Sequence, residues 1–228
     1  MAERILMNEY RSLAKEKWVN IDLHNDDIFR WNVALVVVNP DSMYYGGYFK
    51  AAMTFPSNYP YSPPILTGTP AIAFRFLRPL FHPNIYEDGN LCISILHPPG
   101  DDEMSGELAS ERWSPAQRVE SVLISILSLL DDAEPSSPAN VDAGVILRKD
   151  PELFKAMVKE DVERSKKDIP EGYIMPTHES TTARPADPFD DDEDFWADSD
   201  EGSNMFGGSD SEGNMSFDDQ DSGSDADE

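Results

Sequence analysis

The sequence predicts an α+β domain with an N-terminal helix, a four-stranded antiparallel meander and C-terminal helices, followed by a disordered acidic tail. Apolar residues recur at helical spacing near the N-terminus and again beyond residue 114, and between these regions they alternate as in half-buried strands. The strand patterns are grouped and do not alternate with helical patterns, which favours α+β over α/β. Acidic residues concentrate beyond residue 170, where aliphatic residues become rare.

The first half of the chain predicts one helix and four strands. The helix covers roughly residues 2–16 and shows apolar residues at helical spacing, namely Ala2, Leu6, Tyr10 and Leu13. Alternating patterns predict strands over about 19–23, 29–37 and 49–55, and a last short strand around Phe74 and Phe76. Short turns between the first three strands indicate a meander with one buried face. Residues 56–64 contain four prolines and are predicted to form a rigid loop.

The helices of the second half are indicated by their caps. Ser114 followed by Pro115 and Gln117 is typical of a capping box with proline at the first helical position, and an apolar run from Val119 then predicts a buried helix. Shorter helices are predicted over about 140–149 and 151–167, the latter capped by Asp150. These elements and the meander make residues 1–170 one core domain.

Charge separates that core from the tail. Residues 171–228 contain 19 acidic residues and one basic residue, a net charge of −18 out of −26 for the chain. Such a segment buries too little apolar surface to offset its chain entropy, so it is predicted to be disordered. The acidity disfavours nucleic acid and anionic membranes as partners and favours a basic protein surface. A single cysteine excludes an internal disulfide and fits a reducing compartment, the cytoplasm or the nucleus.

The chemistry is predicted to lie in residues 82–96, around the single cysteine. A lone cysteine next to Leu91 and Ile93 is most often a buried apolar residue. The alternative is an acyl-transfer nucleophile, which needs a thiolate that attacks and leaves and a donor for the oxyanion. Cys92 follows a Gly89-containing loop, and Asn84 lies eight residues upstream. The Asn84 amide is a candidate oxyanion donor, or it holds its own loop, or it does both.

The pattern His82-Pro83-Asn84, seven residues and Cys92, followed by Trp113 and Ser114-Pro115-Ala116, resembles the ubiquitin-conjugating enzymes. The proline loop Phe55-Pro56-x-x-Tyr59-Pro60-x-x-Pro63-Pro64 is similar to that of the same family, and the resemblance covers about residues 3–169. It implies a thioester of ubiquitin on Cys92 and transfer to lysine amines. ATP is then consumed by the activating enzyme, so no cofactor is expected here. The four scattered histidines and one cysteine predict no metal site.

Several features depart from ordinary members of that family. The chain inserts an acidic loop over about residues 98–111, and Ser137 stands where many relatives carry an aspartate at the mouth of the site. With the tail, these features resemble the branch that serves cullin–RING ligases in cell-cycle control and builds lysine-48-linked chains for proteasomal degradation.

The resemblance also implies roles for particular residues. Four acids of the insertion are expected to orient the acceptor lysine or take up its proton, namely Asp101, Asp102, Glu103 and Glu107. The alternative is a solvated loop that only guards the thioester. His82 and Pro83 are expected to be structural. His97 follows Cys92, but no Asp or Asn has protease-like spacing to complete a triad, which disfavours a cysteine hydrolase. A thioester that resists water also argues against a strong general base beside Cys92.

Partner contacts follow from the same resemblance. A RING domain is expected to meet the first helix and two loops, and the activating enzyme the basic side of that helix; the residues concerned are Arg4, Arg11, Lys15, Lys17, Tyr61, Ser114, Pro115 and Ala116. The tail is expected to meet a basic surface of the ligase scaffold. Two alternatives stay open: a non-enzymatic module that only binds ubiquitin, and an enzyme for a different ubiquitin-like modifier.

Overall fold

The computed structural model describes residues 1–64, 74–100, 107–136 and 138–182, which belong to one compact unit. It confirms the predicted fold class. The elements are α1 (Ala2–Leu13), β1 (Val19–His24), β2 (Asp27–Val36), β3 (Tyr48–Thr54), β4 (Phe74–Phe76), α2 (Val119–Asp131), α3 (Val141–Lys149), α4 (Pro151–Ser165) and α5 (His178–Thr182). Short 3₁₀ turns cover Ser94–Leu96, Ala109–Glu111 and Lys166–Asp168.

The four strands form one antiparallel sheet in the order β1-β2-β3-β4. Trp31 pairs with Met53, and Ala51 pairs with Phe76, so these apolar side chains share one face. That face packs against the apolar sides of α1, α2 and α4 and forms the core. The sheet and helices therefore provide the rigid support on which the loop carrying Cys92 rests.

The start of α2 differs from the predicted capping box. Residues 114–117 form a turn, in which the Gln117 N–H donates to the Ser114 carbonyl oxygen at 3.0 Å, and the helix begins at Val119. The Val119 N–H donates to the carboxylate of Glu9 in α1 at 2.7 Å, and the Arg118 N–H donates to the Ser121 hydroxyl at 3.0 Å. Ser114 is thus not the N-cap, because the helix begins only at Val119. The N–H of Val119 is satisfied by the Glu9 carboxylate of α1.

The chain beyond α4 packs on the sheet past residue 170, where the core domain is predicted to end. Tyr173 and Met175 pack on the outer face of the sheet against Ala34, Val36 and Tyr48. The Tyr48 and Tyr173 rings meet edge to face with centroids 5.4 Å apart, and the Lys17 ammonium donates to the Ser180 carbonyl oxygen at 2.9 Å. Composition alone does not indicate this packing of residues 171–182. The rest of the predicted tail, residues 183–228, lies outside the described residues.

Within the described ranges, no helix has the length and apolar character needed to cross a membrane.

Candidate active site

Cys92 lies directly after a short backbone bridge between Ile85 and Leu91. Its N–H donates to the Asn84 carbonyl oxygen at 2.9 Å, which ties the cysteine to the His82–Asn84 turn. Leu91 is buried, but Cys92 is partly exposed. Cys92 is therefore not sealed in the core, as a cysteine that only fills the interior would be.

The loop before Cys92 is fixed to strand β4. The Gly89 N–H donates to the Tyr86 carbonyl oxygen and its own carbonyl accepts from the Phe76 N–H, both at 2.9 Å. Gly89 has a φ of +88°, and a Cβ atom at this position would overlap the Phe76 carbonyl oxygen. A glycine is thus required both by the left-handed conformation and by the close approach of the two backbones.

His82 is fully buried and both ring nitrogens are engaged. Nδ1 accepts from the Asn84 N–H at 3.0 Å, so Nε2 carries the proton and donates to the Leu129 carbonyl oxygen, also at 3.0 Å. Burial lowers the pKa of His82 to about 4, against the opposing effect of the bond to Leu129. The Pro83 carbonyl oxygen accepts from the Asn140 N–H at 2.8 Å. His82 and Pro83 therefore hold the turn against α2 and the start of α3.

The side chain of Asn84 is 5% exposed and binds the segment after α2. Its Nδ2 donates to the Glu134 carbonyl oxygen at 3.0 Å, and its Oδ1 accepts from the Glu134 N–H at 2.9 Å. The loop-holding role considered for this amide is therefore present in the structure. One of its two N–H bonds is used in this way.

His97 lies beside Cys92 and is bound by a carboxylate. Its Nδ1 is 2.8 Å and 2.9 Å from the two carboxylate oxygens of Glu107. Hydrogen bonding to the Cys92 thiolate, with a further contribution from Glu107, raises the pKa of His97 to about 9 despite the opposing effect of burial. At this pKa His97 is protonated at neutral pH, and it forms an ion pair with Glu107.

Glu107 is held by three groups. Besides His97, the Ser94 hydroxyl donates to Oε1 at 2.9 Å and Arg112 Nε lies 3.1 Å from Oε2. Burial works to raise the pKa of Glu107, but the hydrogen bonds from His97 and Ser94 and the nearby positive charges lower it. The acceptor-orienting role expected for Glu107 therefore competes with contacts that already occupy its carboxylate.

The pairing of His97 with Glu107 was not predicted from the sequence. An Asp or Asn was the expected type of partner for His97 in a triad, whereas the partner is a glutamate of the insertion. The Trp113 N–H donates to the His97 carbonyl oxygen at 3.1 Å, which brings the two ends of the insertion together. An insertion that leaves and rejoins the fold at one place has adjacent ends, and the pair could have been predicted from this signal.

A groove on another side of the cysteine loop was also missed. Residues 86–88 line one wall, and the start of α3, residues 139–142, lines the other. The walls carry Glu87, Asp88 and Asp142, and Tyr86 lies next to Cys92, whose thiolate raises the pKa of the tyrosine hydroxyl. The charge of this groove suits a cationic amine.

The residues expected to meet partners lie on three segments that adjoin one another. Arg4, Arg11 and Lys15 are exposed on or just after α1, and Tyr61 is 64% exposed in the proline loop. Pro115 and Ala116 are exposed and Ser114 is half-buried in the turn before α2. The Trp113 indole donates to the Pro60 carbonyl oxygen at 2.8 Å and so joins the last two segments.

Four of the predicted site residues cannot be placed in this geometry. Asp101, Asp102 and Glu103 of the insertion, and Ser137 at the expected mouth of the site, lie outside the described residues. In the part of the chain that the structure describes, no group of three or more His, Cys, Asp or Glu side chains is arranged to hold a metal ion.

Comparison with known proteins agrees with this geometry. The family model for ubiquitin-conjugating enzymes matches residues 5–162. Ubiquitin-conjugating enzyme E2-34 kDa of Saccharomyces cerevisiae is 50% identical over 210 residues, which cover 87% of this chain and 68% of that protein. Ubiquitin-conjugating enzyme E2 7 of Arabidopsis thaliana is 48% identical over 61% of this chain and 78% of its own length.

Ubiquitin-conjugating enzyme E2 G2 of Homo sapiens is 42% identical over 163 residues, which cover 70% of this chain and 93% of that protein. The family match spans more than half of the chain and includes all the elements that build the cysteine loop. The chain therefore belongs to the ubiquitin-conjugating enzymes, which work with ubiquitin and an activating enzyme and act through a cysteine thioester.

Proposed function

We propose that Cys92 is the residue that carries ubiquitin. The observation that supports this most directly is that the chain has a single cysteine and that it is partly exposed, on a loop fixed by Asn84 and Gly89. The Cys92 thiolate attacks the thioester carbonyl carbon of the charged activating enzyme, a new C–S bond forms, and the activating enzyme's cysteine leaves as thiolate. The enzyme needs no cofactor of its own, since ATP is used in the earlier step.

Transfer to lysine requires loss of a proton. A lysine amine with a pKa of about 10.4 is almost entirely protonated at pH 7. In our proposal the amine attacks the carbonyl carbon on Cys92, the C–S bond breaks, and the amine proton passes to a nearby base. Acylation of Cys92 removes the largest contribution to the raised pKa of His97, so in our proposal the charged enzyme uses His97 to accept the proton, contrary to the expectation that no strong base lies beside Cys92.

The remaining site residues are assigned around this step. Asn84 holds the loop through Glu134, and the second N–H of its amide is the proposed oxyanion donor. Ser137 is proposed at the site mouth. Asp101, Asp102 and Glu103 are proposed to orient the acceptor lysine, whereas Glu107 is proposed to act through His97. The groove between residues 86–88 and 139–142 is the proposed approach of the amine.

We further propose that the enzyme serves cullin–RING ligases, builds lysine-48-linked chains that lead to proteasomal degradation, and acts in cell-cycle control in the cytoplasm and nucleus. The acidic insertion, Ser137 and the acidic tail support this assignment. The tail is proposed to bind a basic surface of the ligase scaffold, and its charge favours fast, salt-sensitive association.

A charging reaction tests the core of the proposal. Ubiquitin, activating enzyme, ATP and this protein should give a band shifted by one ubiquitin that a thiol reductant removes. Cys92→Ala should give no band, and Cys92→Ser should give at most an ester that resists the reductant. A reductant-sensitive band in Cys92→Ala would overturn the assignment. Ubiquitin in which lysine 48 is the only lysine, compared with ubiquitin that lacks it, tests the linkage.

A further inference from the structure

Glu9 is a half-buried carboxylate in the middle of α1 that has no part in the site described above. The hydroxyl of Tyr59 donates to it, with distances of 2.9 Å to Oε1 and 3.0 Å to Oε2. The Val119 N–H donates to Oε2 at 2.7 Å. Glu9 therefore joins α1 to the proline loop and to the first residue of α2, elements that are 50 and 110 residues away in sequence.

Both partners of Glu9 are themselves firmly held. Tyr59 is 2% exposed and its ring packs between Phe55 and Trp113, with centroids 5.3 Å and 5.9 Å away. The Trp113 indole donates to the Pro60 carbonyl oxygen, directly after Tyr59. Val119 is fully buried at the N-terminus of α2. A carboxylate that accepts from a helix N-terminus and from a buried phenol forms charge-assisted bonds, which are stronger than neutral ones.

The three elements that meet at Glu9 are those that carry the exposed partner-binding residues. Arg4 and Arg11 lie on the outer side of α1, Tyr61 lies two residues after Tyr59, and Pro115 and Ala116 lie in the turn that leads to Val119. The Glu9 carboxylate is half-buried and bonded to two buried residues, Tyr59 and Val119. These bonds can therefore set the relative position of the three segments.

We propose that Glu9 is a positioning residue that holds α1, the proline loop and the turn before α2 together as one binding surface for the ligase RING domain. The proposal rests on the proposed function, because it uses the partner surface assigned there. A loss of the carboxylate allows the three segments to shift relative to one another. The partner must then order them on binding, which weakens binding without changing the reaction at Cys92.

The test uses the full chain, charged with ubiquitin beforehand and mixed with increasing amounts of a cullin–RING ligase complex. Discharge to free lysine is measured in a single turnover, so that recharging by the activating enzyme does not enter. For Glu9→Gln we expect the half-saturating ligase concentration to rise about tenfold, with the rate at saturation within about twofold of the wild type. Glu152→Gln, an exposed change of the same charge in α4, should leave the half-saturating concentration unchanged.

Tyr59→Phe provides a second variant that keeps the buried ring. It should raise the half-saturating ligase concentration by a smaller factor than Glu9→Gln does. In a protein that already carries Glu9→Gln, Tyr59→Phe should raise this concentration by a smaller factor than it does in the wild type. An unchanged half-saturating ligase concentration in both variants would overturn the proposal. A decrease in the rate at saturation alone would also overturn it, because general destabilisation is expected to give that result. Failure of the wild type to charge, or to respond to any RING ligase, would instead overturn the proposed function and the inference with it.

Discussion

Asn84 and Glu134, 50 residues apart in the sequence, exchange two hydrogen bonds, one in each direction, at 3.0 Å and 2.9 Å. The same Asn84 accepts from the Cys92 N–H through its backbone carbonyl. The cysteine loop is thereby connected through one residue to the segment that follows α2. The Asn84 side chain is therefore a structural link between these two segments.

The two roles of Asn84 predict different outcomes for two substitutions. Asn84→Ala removes both hydrogen bonds to the Glu134 backbone, each worth about 0.5–1.5 kcal/mol, so the free energy of unfolding should fall by about 1–3 kcal/mol in urea titrations. Asn84→Asp keeps the acceptor but loses the donor. If the donor serves the oxyanion, its single-turnover transfer should fall by at least about tenfold. Asn8→Ala, at an exposed position, is the control, and a transfer rate in Asn84→Asp equal to wild type would refute the oxyanion role.

The pKa of His97 should depend on the state of Cys92. The Cys92 thiolate contributes most to the value of about 9 and Glu107 contributes further. We expect the pKa of His97 to fall in Cys92→Ala and in Glu107→Gln, as measured by NMR titration of the imidazole C–H resonance. The resonance of His24, which lies in β1, provides the internal control. An unchanged His97 titration in Cys92→Ala would exclude the proposed link between charging and proton acceptance.

Buried His82 should make the protein less stable in mild acid. Its folded-state pKa of about 4 lies below the value near 6.5 that it has when unfolded, so unfolding takes up a proton between these values. The contribution of His82 to the free energy of unfolding should therefore be constant above pH 6.5. It should decrease by roughly 3 kcal/mol as the pH falls toward 4. His82→Gln should be less stable at pH 7, but its free energy of unfolding should lack this decrease between pH 6.5 and 4. His24→Gln should keep the decrease. Equal slopes in all three proteins would contradict the prediction.

Two truncations should separate the folded segment 171–182 from the chain beyond it. Removal of residues 183–228 leaves the contacts of Tyr173 and Met175 in place, so the free energy of unfolding should change by less than about 0.5 kcal/mol. Removal of residues 171–228 uncovers Ala34, Val36 and Tyr48 and should cost about 1–3 kcal/mol. Calorimetry or urea titration measures the free energy of unfolding of the two truncated proteins. Equal values would show that residues 171–182 contribute nothing to stability.

The same pair of truncations tests the tail. Both should slow ligase-dependent transfer at low salt while the thioester still forms on Cys92, because the acidic charge is lost in both. A rate of ligase-dependent transfer equal to that of the full chain after removal of residues 183–228 would exclude the tail as a ligase-binding segment.

The order of the elements and the proposed reactive residue, Cys92, could be predicted from the sequence. Strand alternation and helical spacing are local patterns, and the single cysteine leaves no choice of nucleophile. Even the buried helix after Val119 and the N-cap of α4 at Asp150 agree with the structure, where the Asp150 side chain accepts from the Leu153 N–H. Each of these signals lies within a few residues of the feature that it predicts.

Tertiary structure alone decided how those pieces are joined. The pairing of His97 with Glu107, the link from Asn84 to Glu134 and the capping of Val119 by Glu9 connect residues 10, 50 and 110 positions apart. No local pattern distinguishes the acid that is used from its many acidic neighbours, because a hydrogen bond depends on the distance between atoms after folding. Local sequence patterns thus predict the fold and single out Cys92 as the candidate nucleophile. Packing decides which side chains surround Cys92 and hold its loop.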